Sequence, residues 1–536
     1  MKNIKLGIYT IITGTCLGFT GCFNLDETVF SEVTENSFIP TNKDVAALMA
    51  SAYSPLNFIF NWQGLFDLQE ETGDVIITPT RPNGWDDGGT YRRMHLHSWT
   101  PESWQPRNTY LTAYNGINSS NRVKDQIESG QLPVGDKKNA IIAEIRAIRA
   151  LWYSILLDTH GNVPIVTMFT DEIPKQSTRK EVYEFIVKEL NEVLDDLSEE
   201  NNSITYGRMN KWAAYMTLAR VYLNAEVYIG TPQWQKALDC VDAVIDSKIF
   251  DLASDYSDNF APEVDFNNKE CIFAVPYDSK YSAFGQHHKW YPAIAKEHFG
   301  NKSDYFWGGS CANPQFINSY EQGDKRLEKS WLIGPQYKSD DESVLVWTCL
   351  NYLPSLTCMK DGKDYTNIDY GYRVMKYGYN YDTNNGGWSN DFPYYRYAET
   401  LMIKAECLLR LNKNEAEAAN LVSQIRSRAF DDANKANVTV ADLKKDTRIK
   451  YGTLNWDNDI DKPGDLSQVF LGGLYDEWGI EFVCEAQRRT QMIRFGTYST
   501  KNWFNHEAIK DGHTSLFPIP LPELQANENL KQNPGY

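Results

Sequence analysis

The chain has 536 residues and a formal net charge of −18, enough for one large or two ordinary domains whose core needs no disulfide or metal to hold it. So acidic a surface repels phosphate backbones, which excludes nucleic acid as a partner class. Beyond the N-terminal segment nothing approaches the ~20 uninterrupted apolar residues of a membrane-spanning helix.

Lys2 and Lys5 open the chain, Leu6 to Phe19 form an apolar stretch, and Thr20 and Gly21 precede Cys22. That is the three-part layout of a secretory signal, too short and wrongly flanked to span a bilayer. A small residue directly before a cysteine resembles the bacterial lipobox, with Phe19 standing where a leucine is usual. On this reading residues 1–21 are removed, and Cys22 becomes an acylated N-terminus, palmitate being the expected chain. Residues 22–536 then hang from a membrane by lipid, with two positive charges fewer. The alternative is plain secretion, with Cys22 an ordinary thiol.

From about Arg107 to Asp246 apolar residues recur at three- and four-residue intervals. Ala140 to Leu157 carries Ile141, Ile145, Ile148, Leu151, Trp152 and Ile155 on one side, an amphipathic helix that Gly161 and Pro164 end. Val182 to Leu197, Trp212 to Val227 and, after a Gly230-Thr231-Pro232 break, Trp234 to Ile245 repeat the pattern. Further helical blocks run from Arg396 to Arg428 and from Leu474 to Phe495. Two helix pairs, one from Ala219 through Val244 and one from Ala405 through Ile425, place small residues at crossing points and resemble tetratricopeptide repeats of irregular period. The expected fold is mostly α. A tetratricopeptide-like scaffold occupies about 40–250 and 395–536, and a loop-rich aromatic insertion with short β-hairpins about 250–394, within one domain over 22–536.

The insertion is rich in Tyr, Trp, Gly, Asn and Asp. Cys271 to Val275 and Val344 to Thr348 read as strands. A long irregular region with this aromatic content reads as functional and ordered. Cys240, Cys271, Cys311, Cys349, Cys358, Cys407 and Cys484 form no C-x-x-C pair, which argues against a zinc or redox site. Cys240, Cys407 and Cys484 fall in helical patterns as buried thiols, and Cys349 and Cys358 flank a loop they could bridge.

Residues Ala143 to Leu151, followed by Tyr153, Asp158 and Gly161-Asn162-Val163-Pro164, resemble the central signature of SusD/RagB-type outer-membrane lipoproteins. Leu218 to Ala225, Arg396 to Glu406, Glu481 to Gly496 and the tail from Pro518 to Tyr536 agree in order, so the resemblance covers the whole chain. Ala486 stands for a usual Gly, Gln491 for a usual Asp, and Trp478 where Arg is common. Glu481, Arg488, Arg489 and Arg494 read as an ion-paired helix face that holds the scaffold together. The resemblance implies a non-catalytic glycan binder, lipid-anchored at the outer surface of the outer membrane. It would sit over a SusC-like TonB-dependent transporter and deliver oligosaccharide to it.

Sugar capture needs flat apolar platforms for C–H faces and fixed polar groups for hydroxyls. Asp74 to Trp99 and Tyr281 to Asn313 hold that mixture, and the resemblance places the glycan site on one loop after the first helices and one in the central insertion. Trp85 and Trp307 are the expected platforms, Trp290 or Tyr291 a third wall, and Arg81, Asp86 and Asp74 polar contacts. The Gly-Trp-Asp-Asp-Gly-Gly run at 84–89 reads as a turn that pushes Trp85 outward. The competing reading of each tryptophan is a core position.

Asp86 with Asp87, or Glu70 with Glu71, could be imagined as glycosidase carboxylates, but adjacent residues do not oppose each other across a sugar. No G-x-S-x-G, H-E-x-x-H or phosphate loop is present. Asp457, Asp459 and Asp461 alternate like the start of a calcium loop. Lys462 replaces its glycine and the spaced Glu is missing, so a solvated acidic loop is expected ahead of a structural Ca²⁺; no other cofactor is implied. A family member tuned to peptide or protein is the alternative function.

Overall fold

In the computed structural model residues 42–536 are described, except 82–83, 171, 302–304, 358, 361–362, 365–366 and 382–386. Cys22 and its signal lie outside them, as does Cys358. Ten described helices have seven residues or more: α1 Asn42–Tyr53, α2 Trp104–Glu128, α3 Lys138–Thr159, α4 Arg179–Val193, α5 Lys211–Leu223, α6 Trp234–Asp246, α7 Tyr397–Leu411, α8 Glu415–Arg426, α9 Gly472–Glu481 and α10 Arg488–Arg494. Helices neighbouring in sequence pack together from α1 to α4 and from α5 to α8, and α4 touches α5. The result is the tetratricopeptide-like stack expected from the periodicity.

Residue types explain the stack. The α3 stripe from Ile141 to Ile155 is buried along its length. Trp152, at its centre, meets α2 at Gly116, where a Cβ would come within 2.2 Å of the indole. The indole N–H donates to the Ala52 carbonyl at 3.0 Å, which ties in the end of α1. Thr178 and Glu181 form a capping box that starts α4, and Asn210 caps α5 by accepting from the Ala213 N–H at 2.9 Å.

Between α6 and α7 the chain leaves the stack and returns beside its point of departure. The outgoing strand Cys271–Val275 pairs antiparallel with the returning Phe392–Arg396, Val275 opposite Phe392 and Cys271 opposite Arg396. Within this excursion Gly334–Lys338 and Asp341–Cys349 form a hairpin, so both expected strands are present. Cys349 is a buried free thiol.

One helical expectation breaks. The stretch from Leu474 to Phe495 is two helices, α9 and α10, separated by residues 482–487, with Cys484 and Ala486 at φ 59° and 57°. Cys484 therefore sits in a turn, and Ala486 holds a left-handed conformation that suits glycine better. The carbonyls a continuous helix would use are committed elsewhere. Lys376 Nζ donates to the Glu481 and Val483 carbonyls at 3.1 and 2.8 Å, Arg396 to that of Glu481 at 2.8 Å, and Tyr377 to that of Cys484 at 3.1 Å.

That turn is the centre of a buried ion-pair network. Glu481 meets Arg396, Arg326 and Arg428 at 2.8, 3.1 and 2.8 Å. Burial raises its pKa, and the three guanidinium charges, Arg428 foremost, outweigh burial and hold it well below the usual range. Arg488, Arg489 and Arg494 pair with Asp74, Asp158 and Glu406 at 2.6, 3.0 and 2.8 Å, the structural role expected of this face. No described helix is long and apolar enough to cross a membrane, and no group of three or more described His, Cys, Asp or Glu residues is placed to hold a metal ion.

Candidate functional site

Ile76–Ile77 pairs antiparallel with Cys311–Ala312. The pairing sets the loop after the first strand beside the loop before the second, and so brings Trp85 and Trp307 together, ring centroids 6.1 Å apart and tilted by 44°. Gly309 makes the approach feasible, because a Cβ there would lie 2.7 Å from the Trp85 ring. The 84–89 run is a turn, with Gly88 and Gly89 at φ 65° and 79° and the Arg81 N–H donating to the Trp85 carbonyl at 2.7 Å. Asp87 locks it. One carboxylate oxygen accepts the Trp85 indole N–H at 2.7 Å, and the other accepts the Thr90 backbone N–H at 2.7 Å.

These loops frame an open cleft of about 970 Å³, at the upper end for small-molecule sites. Four tryptophans line it: Trp62, Trp85, Trp104 and Trp307. Trp307 is 42% exposed and is the open platform, whereas Trp85, expected to be pushed outward by its turn, is buried at 8% against Gly309 and Tyr91 and shows only an edge. Trp62 meets Trp307 edge-on at 5.3 Å. Ile294, Ile368 and Pro292 complete the apolar wall, and Gln63, Asp86 and Asp87 supply polar atoms. Behind the rings Tyr91 packs edge-on against both Trp85 and Trp104 and donates its hydroxyl to Asp67 at 2.5 Å. Lys289 lies 4.3 Å from the Tyr91 ring centroid, bonded to Asp67 and Glu71 at 2.5 and 2.7 Å. Burial pulls the Lys289 pKa down, but those two carboxylates raise it above its ordinary value. The support beneath the cleft is a buried ion cluster of Lys289, Asp67 and Glu71, which fixes the rings that a ligand would meet.

Of the expected site residues, Trp85, Trp307, Arg81 and Asp86 line this cleft. Trp290, Tyr291 and Asp74 do not. Trp290 is fully buried, stacked on Tyr377 and packed against Phe66 and Phe284. The short helix His287–Trp290 turns it into the core. Tyr291 is also fully buried, its hydroxyl against Met375 Sδ at 3.2 Å. Asp74 is buried beneath the site, bidentate to Arg488 and accepting the Tyr451 hydroxyl at 2.7 Å. Arg81 lines the floor, but its guanidinium faces away and bonds the carbonyls of Asn367 and Tyr370 at 3.2 and 3.0 Å.

Trp62 and Trp104 are the platforms that sequence reasoning missed. Trp62 follows the first helices and precedes Gly64, and Trp104 starts α2. Neither lies in the two stretches, Asp74 to Trp99 and Tyr281 to Asn313, that the sequence marked out.

A tetratricopeptide-like frame that holds an open, rigidly backed cleft of tryptophans with a few acceptors is the build of a ligand-capture protein. A model described as the SusD family matches residues 269–536, and one described as starch-binding, associating with outer membrane, matches residues 28–223. The chain belongs to the SusD family. It is 24% identical over 497 residues to the starch-binding protein SusD of Bacteroides thetaiotaomicron, which covers 84% of this chain and 82% of that one. Among solved structures, a SusD superfamily protein from Parabacteroides distasonis superposes with a TM-score of 0.70 at 21% identity, over 93% of this chain and 100% of the other. Surface glycan-binding protein A of Bacteroides thetaiotaomicron, solved in complex with laminarihexaose, does so with a TM-score of 0.66 at 21% identity, over 92% and 100%.

Proposed function

We propose that this protein captures oligo- or polysaccharide at the cell surface and hands it to a partner TonB-dependent outer-membrane transporter. The observation that carries the reading is the cleft of four tryptophans, Trp62, Trp85, Trp104 and Trp307. Sugar C–H faces stack on indoles at low conformational cost, and the exposed Asp86 offers a carboxylate to hydroxyls. A relative named as starch-binding and a structural neighbour solved with laminarihexaose support the sugar class. The family-model description associating with outer membrane supports the location. Cys22 would be the lipid anchor, and the transporter would be of the SusC type. The cleft binds and delivers; nothing in the reading requires a reaction.

The test is native affinity electrophoresis of residues 23–536 across a polysaccharide panel, with Trp307→Ala as the variant. Trp307 is preferred to Trp85 because its ring is the more exposed of the two. Retardation by a glycan, weakened on the order of 10-fold or more by Trp307→Ala as expected for losing a stacking platform, with an unchanged thermal melt, supports the proposal. No retardation by any polymer would favour the peptide- or protein-binding alternative.

A further inference from the structure

We infer that the cleft selects uncharged glycans and discriminates against those bearing uronate or sulfate, with Asp86 as the contact that sets the discrimination. The inference rests on the glycan reading above and names the class of glycan.

Among the described residues four charged side chains line the cleft: Arg81, Arg373, Asp86 and Asp87. Both guanidinium groups are buried, Arg81 at 2% exposure and Arg373 at 0%, and both are engaged with the protein. Arg81 donates to the carbonyls of Asn367 and Tyr370 and to Cys311 Sγ. Arg373 donates to the carbonyls of Ser310 and Ile368 at 2.9 and 3.0 Å. Burial keeps both guanidinium groups below the cleft surface, and turning either one outward toward a ligand anion would break those bonds and leave carbonyls unsatisfied. They position the floor and do not meet the ligand.

The carboxylates differ from each other. Asp87 is committed to Trp85, Thr90 and Tyr91. Asp86 is exposed, and its Oδ1 accepts the Gly88 N–H at 3.0 Å, while no described residue bonds Oδ2. The charge a ligand can touch is therefore negative. An ionised acceptor makes strong hydrogen bonds with sugar hydroxyls and repels a carboxylate or sulfate placed in the same subsite.

Among the described residues no other cation lines the cleft. Lys289 is held by Asp67 and Glu71 behind Tyr91. His288 lies 5.3 Å from Trp307, and burial lowers its pKa, so it is neutral at pH 7. Arg92 and Arg93 are on the short helix Thr90–His95 outside the lining, and Arg93 is tied to the Gly88 carbonyl and Thr90 Oγ1. The formal charge of −18 adds long-range repulsion, but salt screens it within about 8 Å under physiological conditions. The contact with Asp86 is what remains in physiological salt.

The experiment uses affinity electrophoresis of residues 23–536 with two sets of probes. Starch, laminarin, xylan and mannan are neutral; polygalacturonate, alginate and chondroitin sulfate are anionic. A neutral polymer that retards the protein is then compared with the same polymer after partial oxidation of its primary alcohols to carboxylates. The expected result is retardation by neutral polymers alone, and a dissociation constant on the order of 10-fold higher for the oxidised form. Asp86→Asn, which keeps the shape and removes the charge, should narrow that penalty to roughly 3-fold or less. Retardation by an anionic polymer that Trp307→Ala abolishes would overturn the selectivity while leaving glycan capture standing. A penalty unchanged by Asp86→Asn would overturn the role of Asp86 and with it the inference. No retardation by either set would overturn the glycan reading and the inference together.

Discussion

Gly309 and Trp85 show how closely the cleft is built at the level of single residues. A Cβ at position 309 would stand 2.7 Å from the Trp85 ring and 3.1 Å from the Thr78 side chain, and Trp85 cannot retreat because Asp87 holds its indole N–H. Gly309→Ala is therefore expected to destabilise the fold by about 1–3 kcal/mol, the usual range for overpacking. It should also weaken ligand binding by straining the Trp85 ring against its bond to Asp87. A denaturant melt together with affinity electrophoresis checks both, and an unchanged melt would mean that the loop yields freely. The same residues show what the sequence left legible about the site. Trp85 was readable because a turn of glycines and aspartates surrounds it, and Trp307 because the family resemblance pointed to its loop. Trp290 and Tyr291 have the same residue types in a similarly polar stretch, yet they face the core. Their direction is set by the short helix His287–Trp290 and by the pull of Asp67 and Glu71 on Lys289, contacts more than 200 residues apart in the chain. No local pattern encodes such contacts.

Helices α3 to α8 were legible because a buried stripe repeats at 3.6 residues whatever packs on it. The break between α9 and α10 was not, because its cause lies outside the segment. Lys376 and Arg396 take the Glu481 carbonyl, and Lys376 also takes that of Val483 and pairs with the buried Glu485 at 2.5 Å. Local propensity gives way to the hydrogen-bond demand of two buried cations. Removing Lys376 should be costly: Lys376→Met leaves the Val483 carbonyl without its partner and takes one of two cations from Glu485, while Arg396 still holds Glu485 and the Glu481 carbonyl. The expected loss is about 1–3 kcal/mol, as for leaving a buried acceptor unsatisfied. Chemical denaturation measures it, and a loss below about 1 kcal/mol would mean that water or Arg396 replaces the ammonium.

Across the whole molecule the buried titratable groups pull stability in opposite directions with pH. Burial depresses His95 to about 4, His97 and His160 to about 3, and His506 well below the ordinary 6.5. A depressed histidine keeps its contribution above the unfolded pKa and loses it as pH falls toward the folded one, because only the unfolded chain takes the proton. Burial raises Glu70 to about 7 and Asp391 and Asp476 to about 6. Those three act in the reverse sense: their contribution is present below the unfolded carboxyl pKa and is lost as pH rises through 6 to 7. Between pH 6 and pH 5 these four histidines outweigh these three carboxyls by roughly one proton, and Glu71 and Glu399, which burial also raises, offset part of it, so stability should fall on acidification by at most about 1.4 kcal/mol per pH unit. For a chain of this length that is a Tm decrease of roughly 1 °C. Below about pH 4.5 the loss should steepen, because the carboxyls no longer compensate. There too the unfolded chain's Glu477 and Glu481 take protons that the folded protein refuses, Glu477 being held at about 2 by Arg326 and Arg426 against the upward push of burial. A calorimetric series from pH 7 to pH 4 tests this, and a Tm that rises on acidification from pH 6 to pH 5 would show that the carboxyls, not the histidines, govern the acid limb.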